Sequence, residues 1–477
     1  MFRSARHLQA LQPLQPLLLR TTSTLHTPAI TKTLTSLLSD NDPSHTHKSK
    51  VQLSRDFTHI YTKILSDDEK LSTLRYLCDN YGADTSSLSA LIAKTATSTT
   101  AALSQKSAAA IRKLSTPRYE ALFSRILTDV PNGMETIVSI RSDLRRLDRK
   151  AELKQLNQDL HQQLSQWFSS GILELRRITF DHTPAAIIEK IAKQESVHPV
   201  QSLDDLCARL GGGMRCFGFF HPSLPDEPLV FVHVALMPSL TSSMEQIAEH
   251  RSSGDSDGSK ENDAKAAIFY SINSTKDGLA GVELGNFLIK RVVATLQREF
   301  PNITTYSTLS PIPRFRKWLL AKASLTDEFG FENEMEVFGT QAARDAFLSI
   351  LALDPPPRDA TQALINVLED STSPWHEDVQ KAAVLKPILT KLAARYIAVE
   401  KKRKRPVDGV AKFHMNNGAE LFRVNFAADL TRKGLAQSYG LMVNYRYYDS
   451  KIIEKNHSAY ANGVLILSDE IQELIQK

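Results

Sequence analysis

Residues 306–315 read YSTLSPIPRF, with three hydroxyls, Ser307, Thr308 and Ser310, running into two prolines one residue apart. Neither Pro311 nor Pro313 can donate a backbone hydrogen bond, and each biases the residue before it toward extended backbone, so the stretch is a stiff turn rather than a helix. Such a turn can hold a neighbouring hydroxyl in place for chemistry. No GxSxG elbow surrounds Ser310, so acyl-enzyme chemistry of the α/β-hydrolase kind is not supported, and a Ser-Pro turn hydroxyl without a chemical role stays open. A second candidate is His414 in KFHMNNGAELFRVNF, just before the turn Asn416-Asn417-Gly418. Imidazole is the natural proton donor near neutral pH, although most of the 14 histidines in a chain like this are structural or exposed. The third is GLAGVELGNFLIKRVVATLQREF, residues 278–300. Gly278, Gly281 and Gly285 let backbone amides approach a ligand, and a helix start favours phosphate. The stretch matches neither the Walker pattern nor GxGxxG, so an ordinary strand-to-helix turn stays open there as well. Glu283 sits in this turn, as a dipole-matched cap or a site residue.

These residues need elements to position them. AAIFYSINS (266–274) reads as a strand leading through the glycine turn into an amphipathic helix with the stripe Phe287, Leu288, Val292, Leu296. TTYST is β-prone, and RKWLL after the prolines reads as helix. LFRVNF alternates Phe422, Val424 and Phe426 against Arg423 and Asn425, the pattern of a half-buried strand with His414 at its entry. Further short β-rich runs, MRCFGFF (214–220) and PLVFVHVALM (228–237), alternate with helical text, which predicts a mixed α/β domain over 178–477. Its segment 251–265, RSSGDSDGSKENDAK, reads as a disordered, exposed loop. From 40 to 177 the text is helical almost throughout. Ser66 is an N-cap signal, Gly82 closes that helix, Pro117 and Pro131-Asn132-Gly133 break the next, and 134–170 runs on without proline. The fold class is therefore an N-terminal all-helical bundle followed by a mixed α/β catalytic domain.

At 477 residues the chain has room for two domains. Hydrophobic content of 42% and a net charge of +5 fit a globular protein and do not imply nucleic acid as a partner. No segment is apolar for long enough to span a bilayer. Cys78, Cys207 and Cys216 lack CxxC or CxxH spacing, which predicts neither a structural disulfide nor a zinc site. Residues 1–39 carry Arg3, Arg6, Arg20 and Lys32 and no acid, the composition of a mitochondrial presequence. The run KKRKRP at 401–406 reads as a solvated linker.

Together, GVELGNFLIKRVV, LQREFP, STLSPIP with KWLL, FHxxNGA and GLMVNYRY resemble malonyl-CoA decarboxylase, of the fungal, mitochondrial type, in order and spacing. RRITFDHTPAAIIEKIAKQESVHPV and EPLVFVHVAL extend the resemblance, which covers most of 178–450. It implies an all-helical N-terminal domain and a catalytic domain of the GNAT acetyltransferase type; the long charged helices favour assembly as a homo-oligomer, with a tetramer expected though the sequence does not fix the order. It implies Ser310 and His414 as the catalytic pair, with Glu283 and Tyr447 tuning or positioning it. Ala280, Gly281, Val282, Glu283, Leu284, Gly285 and Asn286 correspond to the CoA-contacting turn. The implied reaction turns malonyl-CoA into acetyl-CoA and CO2 in the mitochondrial matrix, in fatty acid metabolism. The thioester is its own electron sink, so no metal or organic cofactor is called for. Arg314 stands where the family pattern has glycine, and Met415-Asn416 where animal members have Leu-Arg; a C-terminal SKL is absent. A GNAT-type acyltransferase and a non-catalytic helical interaction protein are the alternative readings.

Overall fold

The computed structural model describes residues 23–38, 47–96, 105–168, 171–253, 259–282, 284–325, 330–351, 357 and 359–476. These form two compact units, Met1–Ser169 with Lys276–Val282, and Ser170–Thr275 with Glu283–Lys477.

The first unit is helical. The Ser66 cap forms as a full capping box: its side chain accepts from the Glu69 N–H, and the Glu69 carboxylate accepts from the Ser66 N–H. Apolar residues at helical spacing, among them Leu74 and Leu77, Leu122 and Ile126, Leu156, Leu160 and Leu164, are buried. The proline-free run is two helices, Gly133–Leu147 and Lys154–Trp167. Between them the Asp148 carboxylate accepts from the N–H groups of Glu152 and Leu153, and Ala151 takes a left-handed φ of 55°. Arg141 donates to the carbonyls of Gly278 (2.5 Å) and Ala280 (3.0 Å), which ties the loop 276–282 into this unit. A Cβ at Gly278 would come 2.0 Å from the Val138 carbonyl, so this glycine is required by close approach.

The expected presequence, residues 1–39, overlaps a packed helix. Residues 1–22 lie outside the described residues, but Ser23–Leu38 form a helix whose Ile30, Leu34, Leu37 and Leu38 are buried. Arg118 donates to the Leu38 carbonyl at 2.8 Å. A leader ending at 39 would remove a packed helix. Its basic, acid-poor composition is also that of a buried amphipathic helix with an exposed polar face.

The second unit is built on one eight-stranded sheet. Its strands are β1 (Glu174–Ile178), β2 (Met214–Phe220), β3 (Val230–Met237), β4 (Ala266–Ser274), β5 (Thr305–Thr308), β6 (Ser310–Pro311), β9 (Glu420–Asn425) and β10 (Met442–Tyr447); β7 (Lys401–Lys402) and β8 (Arg405–Pro406) form a separate hairpin. The order is β1-β2-β3-β4-β5-β10-β6, with β9 on the other edge of β10, and only the β4–β5 pair is parallel. β2 and β3 are buried along their whole length, which is why they read as unbroken apolar runs. On one face the helices Ala185–Gln194 and Leu203–Leu210 bury Ile187, Ile191 and Leu206 against Cys216, Phe220 and Phe231. On the other, the helix Leu284–Glu299 runs over β1 to β3 and sets Arg291 on the Phe219 ring. Each fully buried side chain of this size contributes roughly 1.5–3 kcal/mol.

Three further expectations change. β1 begins before residue 178, because Glu174 already pairs with Phe220. The 251–265 segment is not wholly an exposed loop: Ser259–Asp263 is helical and Glu261 pairs with the buried guanidinium of Arg215 at 2.8 Å. Residues 254–258 lie outside the described residues. The basic run 401–406 is a hairpin and not a linker, with Lys401 opposite Pro406 and Lys402 opposite Arg405.

Candidate active site

Ser310 is held by strand pairing. β5 leaves β4 after Thr308, Leu309 is buried, and Ser310–Pro311 then pair with Val443 and Met442 of β10. Ile312 and Phe315 are buried on either side of the exposed Pro313-Arg314, so the proline segment is pinned at both ends. The other two hydroxyls are committed to backbone. Ser307 Oγ donates to the Tyr445 carbonyl at 3.1 Å, and Thr308 Oγ1 accepts from the Tyr445 N–H at 3.1 Å. Ser310 Oγ instead meets a side chain, lying 3.1 Å from His414 Nε2.

His414 sits in the last turn of the helix Gly409–Asn416. Asp408 caps its start by accepting from the Ala411 N–H at 2.8 Å. At its end the Asn417 N–H donates to the carbonyls of Phe413 and His414, and Gly418 takes φ 81° where a Cβ would meet the Ile453 carbonyl at 2.3 Å. The chain then enters β9, so the sequence placed His414 correctly before a turn and a strand. The predicted alternation in that strand fails. Arg423 pairs with Asn444 but Leu421 with Tyr445, so Phe422 is an extra residue in a bulge, and Leu421 and Val424 are the buried apolar pair.

On the far side of the imidazole, Nδ1 lies 2.8 Å from the Tyr447 hydroxyl. Ser310, His414 and Tyr447 thus form one buried hydrogen-bonded chain with the histidine in the middle. Tyr445, two residues earlier on the same face of β10, stacks on the imidazole with ring centres 4.6 Å apart and planes 21° apart. Phe413 meets it edge-on at 5.0 Å. Burial among these rings pushes the His414 pKa down to about 3, so the imidazole is neutral. Burial also raises the phenol of Tyr447, an effect opposed by the Asn417 amide directed at it. That amide nitrogen is buried and makes no hydrogen bond of good geometry. Sequence reading missed both Tyr445 and Asn417. The Tyr-x-Tyr spacing in NYRY was the available signal for the first, since a period of two puts both rings on one face.

The candidate CoA stretch is divided. Ala280, Gly281 and Val282 belong to the first unit; Leu284, Gly285 and Asn286 open the helix Leu284–Glu299 of the second; Glu283 lies outside the described residues. Within the second unit, β4 continues through Tyr270–Ser274 beyond its last pair with β5 at Phe269 and Thr308, while Leu309 N–H still donates to the Phe269 carbonyl at 3.1 Å. The two parallel strands therefore diverge from a point beside Ser310. Gly285 brings the helix start against the helix Gly409–Asn416, because a Cβ there would lie 2.8 Å from the Phe413 ring. Arg314 has φ −118°, open to any L-residue, so the departure from glycine leaves the turn unstrained. Met415 is buried, and the Asn416 carbonyl faces His457 Nδ1 at 2.5 Å. Among the described residues, no three His, Cys, Asp or Glu side chains gather as metal ligands would.

Two family models match the chain. One, described as the malonyl-CoA decarboxylase C-terminal domain, matches residues 171–477; the other, the malonyl-CoA decarboxylase N-terminal domain, matches residues 81–168. The mitochondrial malonyl-CoA decarboxylase of Rattus norvegicus is 37% identical over 364 residues, covering 75% of this chain and 71% of that protein. That of Anser anser anser is 36% identical over 405 residues, covering 83% and 77%. The crystal structure of malonyl-CoA decarboxylase from Agrobacterium vitis is similar with a TM-score of 0.79 at 34% identity, covering 94% of this chain and 100% of that one.

Proposed function

The chain belongs to the malonyl-CoA decarboxylase family, and from that premise we propose that Ser310, His414 and Tyr447 carry out its reaction as a single proton-delivering chain. The reaction is the decarboxylation of malonyl-CoA to acetyl-CoA and CO2, a carboxy-lyase step of fatty acid metabolism. Breaking the bond between the α-carbon and the carboxylate leaves its electron pair on the α-carbon, delocalised into the thioester carbonyl as an enolate. One proton must then be added to that carbon. The observation that carries the assignment is the buried contact of Ser310 Oγ with His414 Nε2 at 3.1 Å.

His414 is neutral, so the proton it gives comes from Nε2–H of the imidazole and not from an imidazolium. A thioester enolate is basic enough to take it, Tyr447 can return a proton to Nδ1 as it leaves, and solvent restores the phenol proton before the next turnover. The tautomer this requires has Nδ1 as acceptor. Asn417 supports it: its buried, unpartnered amide is directed at the Tyr447 oxygen, and an N–H given there would leave the phenol O–H to donate to Nδ1, with Nε2 carrying the hydrogen toward Ser310. Ser310 either passes the proton to the α-carbon or fixes the malonyl carboxylate out of the thioester plane, where the breaking bond overlaps the carbonyl.

The CoA seat falls on Ala280 through Asn286, including Glu283. Within the second unit, the strand β4 and the helix Leu284–Glu299 support it, since a helix start favours a pyrophosphate. The diverging edge of β4 supports a pantetheine arm reaching Ser310. Relatives named mitochondrial and the acid-free first 39 residues support a mitochondrial location, in the matrix. The helical unit is the proposed surface for homo-oligomer assembly, as a tetramer.

The test is to incubate the purified protein with malonyl-CoA alone in deuterated water. Acetyl-CoA carrying one deuterium in its methyl group, with CO2, is the expected product. Absence of acetyl-CoA would sink the assignment, and acetyl transfer to an added amine in its place would favour the acyltransferase reading.

A further inference from the structure

The β7–β8 hairpin carries five consecutive cations, Lys401, Lys402, Arg403, Lys404 and Arg405, and all five are exposed. Among the described residues none of them makes an ion pair, whereas nearby Lys322, Arg395 and Arg316 are each bound to a glutamate. The two turn residues are held in the left-handed region, Arg403 at φ 52° and Lys404 at φ 65°. Asn-Gly is the usual choice at such a turn. Here two long cations occupy it, at a conformational cost, on a projecting tip. A cluster of like charges without counter-charges repels itself unless an anion meets it.

The cations are bordered by apolar surface. Val399 and Val407 flank the hairpin and are 45% and 42% exposed. Val464, 54% exposed, follows Gly463, where a Cβ would lie 3.7 Å from the Lys404 side chain. Tyr460 offers no free face here, since the Arg405 guanidinium lies over its ring. We infer that the β7–β8 hairpin with its bordering valines is a docking surface for the headgroup layer of an anionic phospholipid bilayer. A convex cationic tip with aliphatic side chains beside it suits a surface that presents phosphates above an apolar interior. Stacking of bases would need exposed aromatic faces, which this patch lacks. No helix among the described residues is long and apolar enough to cross a membrane, so the contact would be peripheral.

The test is co-sedimentation of the full chain with vesicles of equal parts phosphatidylglycerol and phosphatidylcholine, against vesicles of phosphatidylcholine alone. Binding to the anionic vesicles only, weakened by salt, is expected. The variant K402Q/R403Q/K404Q should lose on the order of 100-fold in partitioning, at about fivefold per cation near the surface. A control, K106Q/R112Q/K113Q, removes the same charge from the exposed face of Gln105–Ser115 and should bind as the unaltered protein does. Turnover of malonyl-CoA by each variant reports folding. Equal losses in the two triple variants, no binding to anionic vesicles, or capture by soluble RNA but not by vesicles would each overturn the proposal.

Discussion

The hydroxyl of Tyr447 and Nδ1 of His414 are 2.8 Å apart, on the side of the imidazole away from Ser310. This fixes the ring in one orientation and leaves Nε2 facing Ser310. Tyr447→Phe keeps the ring and removes only the hydroxyl. Turnover should fall about 10- to 100-fold with little change in KM, the effect of one buried hydrogen bond that strengthens as charge moves. A steady-state assay with malonyl-CoA checks it; unchanged turnover would place Tyr447 outside the proton chain.

Asn417→Asp is nearly isosteric but replaces a donor with an acceptor. The carboxylate would accept a hydrogen bond from the phenol O–H, so Nδ1 would become the protonated nitrogen and Nε2 would accept from Ser310. Nitrogen-15 spectra of labelled histidine should show Nε2–H at His414 in the unaltered protein and Nδ1–H in the variant, accompanied by lost turnover. The same tautomer in both proteins would remove Asn417 from the arrangement.

Ser310→Ala and His414→Asn should each lower turnover by about 10²- to 10⁴-fold, the range for a positioned acid or base. Because the two side chains touch, the double variant should lose little more than the worse single one. Additive losses would mean that they act independently.

The parts of this site that could be read locally were those written in one short stretch. The two prolines drew attention to Ser307, Thr308 and Ser310 together, and the turn and strand to His414, but the family resemblance was needed to choose Ser310 and His414. Tyr447 entered only through family resemblance, and Tyr445 not at all, because its stacking on His414 depends on where β10 pairs. That register includes a bulge at Phe422, which no periodicity in LFRVNF announces. Asn417 looked like a turn residue because its second role lies on a strand thirty residues away in sequence. The helix Ser23–Leu38 was not read inside the expected presequence because composition does not register that Ile30, Leu34 and Leu37 share a buried face.

Gly285→Ala tests the approach of the helix Leu284–Glu299 to the catalytic helix. The added methyl would lie 2.8 Å from two carbons of the Phe413 ring, and Phe413 touches the His414 ring edge-on. A partly buried ring in contact with His414 can yield only in part, so the cost should be about 1–3 kcal/mol in stability. Turnover should fall more than substrate affinity, because the ring pushed aside is the one that seats the histidine. Thermal unfolding and steady-state kinetics on the same sample check both. Full stability with full turnover would show that Phe413 is free to move.

Acid should destabilise the fold through His414 itself. Its folded pKa of about 3 lies below the ordinary 6.5, so the unfolded chain binds this proton first as pH falls. The stability that neutral His414 contributes is complete above pH ~6.5 and is lost progressively toward pH ~3, reaching about 2 kcal/mol by pH ~5. His233, also buried and pushed down to about 4, acts in the same direction. Comparing His414→Asn, which cannot titrate there, with the unaltered protein in urea at both ends of that window isolates the His414 share. The variant should lose about 2 kcal/mol less between pH ~7 and ~5. Turnover in the folded protein should show no acid limb near 6.5 from His414, since the ring stays neutral throughout. An equal acid sensitivity in both proteins would mean that His414 is charged in the folded state, and the neutral donor would have to be abandoned.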